Sequence, residues 1–111
     1  MSPSEVARLV ARYFGDMVKY VVDIDRGLAA VGGEMHADAE QVLLEAGSSQ
    51  ASLWGANYYP GRSDQDCIEY TSLINIRPSA GNRSMEIEAP EIRAKVAAIT
   101  HHLIGRGEAS P

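Results

Sequence analysis

Three groups of residues have the types and spacing that chemistry needs. The first is Glu34-Met35-His36-Ala37-Asp38, directly after Gly32-Gly33. If residues 34 to 36 run extended, the Glu34 carboxylate and the His36 imidazole share one face, about 7 Å apart along the strand. A carboxylate beside an imidazole raises its basicity and fixes its orientation, which is how a proton-transfer residue is built. With Asp38 as a third ligand the same spacing would suit a metal. A helix starting here would instead leave His36 bonded to backbone and Asp38 as a cap.

The second group is Asn75-Ile76-Arg77-Pro78 with Gly81-Asn82-Arg83-Ser84. Arg77, at an expected strand end, can hold a carboxylate, phosphate or oxyanion through two parallel bonds. Gly81 and Asn82 can turn amides toward an anion. The alternative is a turn whose arginine pairs with Glu69 or Glu86. The third group is Gln50, Trp54, Asn57 and Tyr59, on or beside one expected strand. Amide side chains are poor strand formers and costly when buried without partners. Asn57 and Asn75 are therefore either the wall of a polar pocket or an amide ladder between strands. Trp54 and Asn57 differ in parity and should face opposite ways, with Trp54 toward the core.

These residues need elements to position them. Ser2, Pro3 and Glu5 form a capping box, and Val6, Leu9, Val10, Tyr13, Phe14 and Met17 make one apolar helical stripe that Gly15 ends. From Val18 the period becomes two, giving a strand, a turn at Asp25-Arg26-Gly27 and a return strand over 28–35 weakened by Gly32-Gly33. A short helix capped by Asp38 and ended by Gly47 would bury Val42, Leu43 and Ala46. A third strand over 51–59 and a fourth over 67–76 follow, the latter with alternating Ile68, Tyr70, Ile74 and Ile76. A last helix starts at Pro90, presents Ile92, Val96, Ile99 and Leu103, and stops at Gly105. The order α-β-β-α-β-β-α predicts an α+β fold, a mostly antiparallel sheet with helices packed on one face. Residues 1–105 form the single domain and 106–111 a flexible tail.

The composition excludes several functions. The chain has 111 residues, 10 basic against 15 acidic, and a net charge of -5. No Lys or Arg lies between Arg26 and Arg62, so nucleic acid and anionic membrane are not expected partners. No apolar run is long enough to span a bilayer. One cysteine, Cys67, supplies neither an internal disulfide nor a metal pair. There is no Gly-x-Ser-x-Gly elbow, glycine-rich nucleotide loop or zinc spacing, and His101-His102 are misplaced to share a ligand on a helix.

Phe14 to Gly61, with its GGEMHAD and LWGANYYP segments, then IEYTSLINIRPSAGNRS and a Pro-Glu-Ile helix start, resemble a small bacterial family catalogued only as a domain of unknown function, DUF5674. The resemblance covers about Phe14 to Ile104 and implies a cytoplasmic bacterial protein; it transfers no activity. Members of that family open with a strand before the first helix. This chain begins at the helix, which would leave a sheet edge free for dimer pairing.

The expected function is a small cofactor-independent enzyme, an isomerase, cyclase or lyase acting on a small organic substrate. His36 would move a proton, Glu34 would orient it, and Arg77 would anchor an oxyanion or carboxylate. Gln50, Trp54, Asn57, Tyr59, Asn75 and Asn82 would line the substrate site. The alternative is a non-catalytic, homodimeric module that binds a small molecule or another protein.

Overall fold

Local signals set the first half of the chain. In the computed structural model, which describes residues 1–105, helix α1 (Pro3–Tyr13) starts at Ser2. Its hydroxyl accepts from Glu5 N–H while the Glu5 carboxylate accepts from Ser2 N–H, the expected box. Gly15, at φ +84°, turns the chain out of the helix. β1 (Val18–Asp23) and β2 (Leu28–Val31) form a hairpin through the Asp25-Arg26-Gly27 turn. Asp23, wholly buried, holds that turn: its carboxylate accepts from the N–H of Asp25 and Arg26 and from the Ser48 hydroxyl.

Then come α2 (His36–Glu45), a short 3-10 turn (Gln50–Ser52), β3 (Leu53–Tyr58), β4 (Ile68–Glu69), two further 3-10 turns (Leu73–Asn75 and Pro78–Ala80) and α3 (Pro90–Leu103). The four strands make one antiparallel sheet in the order β2-β1-β3-β4. The fold is α+β, in the expected element order. The expected tail, residues 106–111, lies outside the described residues.

Alternation sorts the sheet into two faces. Val18, Tyr20, Val22, Trp54, Ala56 and Tyr58 point to one side, where Val6 of α1 and Val96 of α3 close a core with Cys67, Ile68 and Ile87. Val21 and Leu53 point to the other, where Ala39 and Leu43 of α2 meet them. The helices therefore do not all share one face: α1 and α3 do, and α2 lies across the opposite one. The reason is the length of the connection. Only a few residues separate β2 from α2, and they lead the helix onto the face that Val21 leaves apolar. Within α2, Leu43 is buried as expected, but Val42 and Ala46 are exposed. His36 and Ala39 take the inner positions instead.

The fourth strand is much shorter than its alternation suggests. After Glu69 only isolated pairing persists, Thr71 with Glu86. Ser72 then turns its hydroxyl to accept from Ile74 N–H and starts a 3-10 turn. Asn75 consequently lies on no strand. Its side chain does a strand's work: Oδ1 accepts from Gly55 N–H at 2.8 Å and Nδ2 donates to Gly55 O at 3.0 Å. A primary amide carries the same donor and acceptor as a peptide group, so it completes the edge of β3 where β4 has ended.

Candidate functional site

The α2 face is the polar one, and its centre is His36. The side chain opens α2, and the ring is only 8% exposed. Its Nε2 lies 2.8 Å from Ala56 O. A carbonyl oxygen only accepts, so Nε2 carries the hydrogen and Nδ1 is the basic atom of the neutral ring. Gly55 is what lets the ring lie so close to the sheet. A Cβ there would stand 2.7 Å from Cβ and Oγ of Ser72 and 3.2 Å from His36 Cδ2. Burial pushes the imidazole below its ordinary pKa and the Lys19 charge adds to that, whereas the Ala56 carbonyl, Asn57 and Glu69 favour the charged ring. The net result is a neutral imidazole at neutral pH.

Beside the ring is a half-enclosed cavity of about 230 Å³, bordered by Lys19, Asn57, Ser72, Leu73 and Met85. That is the volume of roughly eight liquid waters. It is below the range of drug-sized sites, so only a small compound would fit. The Lys19 ammonium sits 5.2 Å from the centre of the Phe14 ring, which holds the charge at this end of β1. Asn57 is buried and donates through Nδ2 to Glu69 Oε1 at 2.7 Å; the Tyr59 hydroxyl donates to the same oxygen at 3.2 Å. A carboxylate only accepts, so Glu69 fixes which way the Asn57 amide faces. Burial, with Glu69 nearby, raises the Tyr59 phenol above its ordinary pKa.

Of the expected site residues, the structure brings His36 and Asn57 together and adds Tyr59 behind them. It separates the rest. Glu34 is exposed in the turn before α2, so it does not share a strand face with His36. The Gly32-Gly33 pair, both at positive φ, has already ended β2. Asp38 accepts from Met35 N–H at 3.1 Å and caps α2 from inside its first turn. Glu34, His36 and Asp38 do not converge; among the described residues no three His, Cys, Asp or Glu side chains gather as a metal would require.

Arg77 lies beyond Leu73 and Ile74, in a separate groove with Glu40 and the exposed Gln50. It donates to Leu53 O and Ala51 O and stacks over Trp54 at 4.6 Å. Trp54 itself is core, on the face opposite Asn57. Asn75 and Asn82 are internal ties. Asn82 Nδ2 donates to Asn75 O, Ser84 O and Glu86 O, and its Oδ1 accepts from Glu88 N–H. Both amides bond the chain's own backbone, and neither borders the His36 cavity.

Lys19 was not marked by its sequence neighbourhood. Alternation puts it on the face away from Tyr20, with Val21 and Asp23, and α2 and the Leu73 turn make that face a cavity wall.

Against known proteins, one comparison is informative. Residues 1–103 match the model of a family described as Protein of unknown function (DUF5674). The chain belongs to the DUF5674 family. No curated protein and no solved structure matches it. The family match spans all of the elements above, from α1 through α3, so the His36 cavity lies wholly within the DUF5674 domain. No helix among the described residues is long and apolar enough to cross a membrane.

Proposed function

We propose that this DUF5674 chain is a small acid–base enzyme, of isomerase, cyclase or lyase type, acting on a small organic compound in the His36 cavity. One observation carries the reading: a buried imidazole whose Nε2–H is held by the Ala56 carbonyl, beside a cavity that the Lys19 side chain borders. A neutral, oriented imidazole is suited to take a proton through Nδ1. Lys19 replaces Arg77 as the charge available to an oxygen that becomes negative in the same step. For a carbonyl substrate the step balances as follows. His36 takes the proton from the carbon next to the carbonyl, and the electron pair moves to the oxygen near Lys19. The proton then returns to a different atom, or a group leaves from the neighbouring carbon with its bonding pair and takes the proton from His36.

The reading is tested by proton NMR in deuterated buffer with a panel of small oxo acids and hydroxy ketones. Wild type should exchange the hydrogens next to the carbonyl of at least one compound. His36→Gln keeps a donor for Ala56 O and should lose the exchange. Binding seen as shifts at His36 and Asn57, without exchange in any compound, would favour the non-catalytic module. That alternative draws support from Arg77, Asn75 and Asn82, whose hydrogen bonds all go to the chain itself.

A further inference from the structure

The sheet ends on one side at β2, and that edge is open. Gly32 N–H donates to Lys19 O at 2.8 Å, so Lys19 and Gly32 form a hydrogen-bonded pair. Alternation along the ladder makes Val21–Ala30 and Asp23–Leu28 pairs of the same kind. The N–H and C=O groups of Ala29 and Val31 therefore point away from β1. Among the described residues none of the four meets a partner. Edge strands are ordinarily blunted by charge, proline or a bulge, and Leu28-Ala29-Ala30-Val31 has no charge and no proline.

We propose that this edge pairs with the same edge of a second copy of the chain, antiparallel about a two-fold axis at Ala30, so that the two four-stranded sheets become one. An edge of this kind is complementary to itself. Ala29 of each copy exchanges two backbone bonds with Val31 of the other. Ala30 meets Ala30 in a non-hydrogen-bonded pair, where side chains come closest and a small one is required.

The flanking residues agree with that register. Leu28, 37% exposed, falls opposite Gly32, which has no side chain to oppose it. Moving the axis one residue either way sets Leu28 against Ala30 or Glu34 and loses that match. The α1 stripe adds a further reason. Leu9 and Tyr13, which border Gly32, are only half-buried in one copy.

Sedimentation of the full chain and amide hydrogen exchange test this. The 12.0 kDa chain should sediment as a dimer at micromolar concentration, with slow exchange at Ala29 and Val31 N–H. Ala29→Pro removes one outward N–H and leaves the β1 ladder intact, so it should sediment as a monomer. A wild-type monomer with freely exchanging Ala29 and Val31 overturns the proposal, as does a dimer that folded Ala29→Pro leaves unchanged. If Ala29→Pro fails to fold, the exchange of those two amides in wild type still decides.

Discussion

The two faces of this sheet share the same strands and are stabilised by different means. On the α1 and α3 side, Val18, Tyr20, Val22, Trp54 and Ala56 pack against helices, and removal of apolar surface from water is the main stabilising term. The buried hydroxyl there is answered locally. Thr100 Oγ1 donates to Val96 O, so the Tyr20 hydroxyl donates to Thr100. On the α2 side the sheet positions are Lys19, Val21, Leu53, Gly55 and Asn57. Hydrogen bonds and a missing side chain decide what fits there. The difference teaches that a strand buried on both sides, as β3 is, can be an apolar core on one face and the wall of a polar cavity on the other.

The largest effect should come from removing the amide that stands in for a strand. Asn75→Ala strands Gly55 N–H, Gly55 O and the Met85 carbonyl to which Nδ2 also donates. At about 1–3 kcal/mol for a buried group left unpaired, the total should be on the order of 3 kcal/mol, measured by urea denaturation. A loss well under 1 kcal/mol would remove the contrast between the faces.

Gly55→Ala should cost about 2 kcal/mol, within the range for overpacking, because the new methyl meets Ser72 Cβ, an atom tied closely to backbone. Ala56, one residue on and facing the other core, already has such a methyl and is fully buried. The same variant should close the space beside His36 and reduce any hydrogen exchange into substrate.

The smallest effect, and the one that sharpens the comparison most, is in pH. The folded His36 pKa lies below its ordinary value, so below about pH 6.5 the unfolded chain binds more protons. Stability from this residue is present above that pH and is lost as pH falls through the folded value. Tyr20 behaves in the opposite sense. Burial raises its pKa, so its contribution is present below about pH 10 and declines above it. The polar face should weaken in acid and the dry face in alkali. Denaturation midpoints of wild type, His36→Gln and Tyr20→Phe across pH would show each slope flattening in its own variant.

What could be read from the sequence was what depends on near neighbours. The α1 capping box, the β1 alternation, the turn at Gly27 and the Pro90 start of α3 rest on residues a few positions apart. His36 was marked by its neighbours Glu34 and Asp38, yet what surrounds its ring is distant in the chain: Ala56, Asn57 and Ser72. Partners distant in the chain were not legible. Arg77 reads as an anion anchor until its carbonyl acceptors, Ala51 and Leu53, are known. The alternation over 67–76 reads as a long strand, because nothing local says that Asn75 will bond the backbone of Gly55. Lys19 reads only as a position facing away from Tyr20 until α2 is laid over its side of the sheet.

The Asn75–Gly55 contact also limits how this part of the chain can vary in length. The amide reaches both polar groups of one residue only because a fixed number of positions separates it from Glu69, the last residue of β4 paired with β3. One residue inserted or deleted between them would carry the amide past its target by about 3 Å. Gly55 would then be left facing a gap. Surface loops ordinarily tolerate such changes, but this short connection is a measured spacer, and library screens of insertions should find it closed to them.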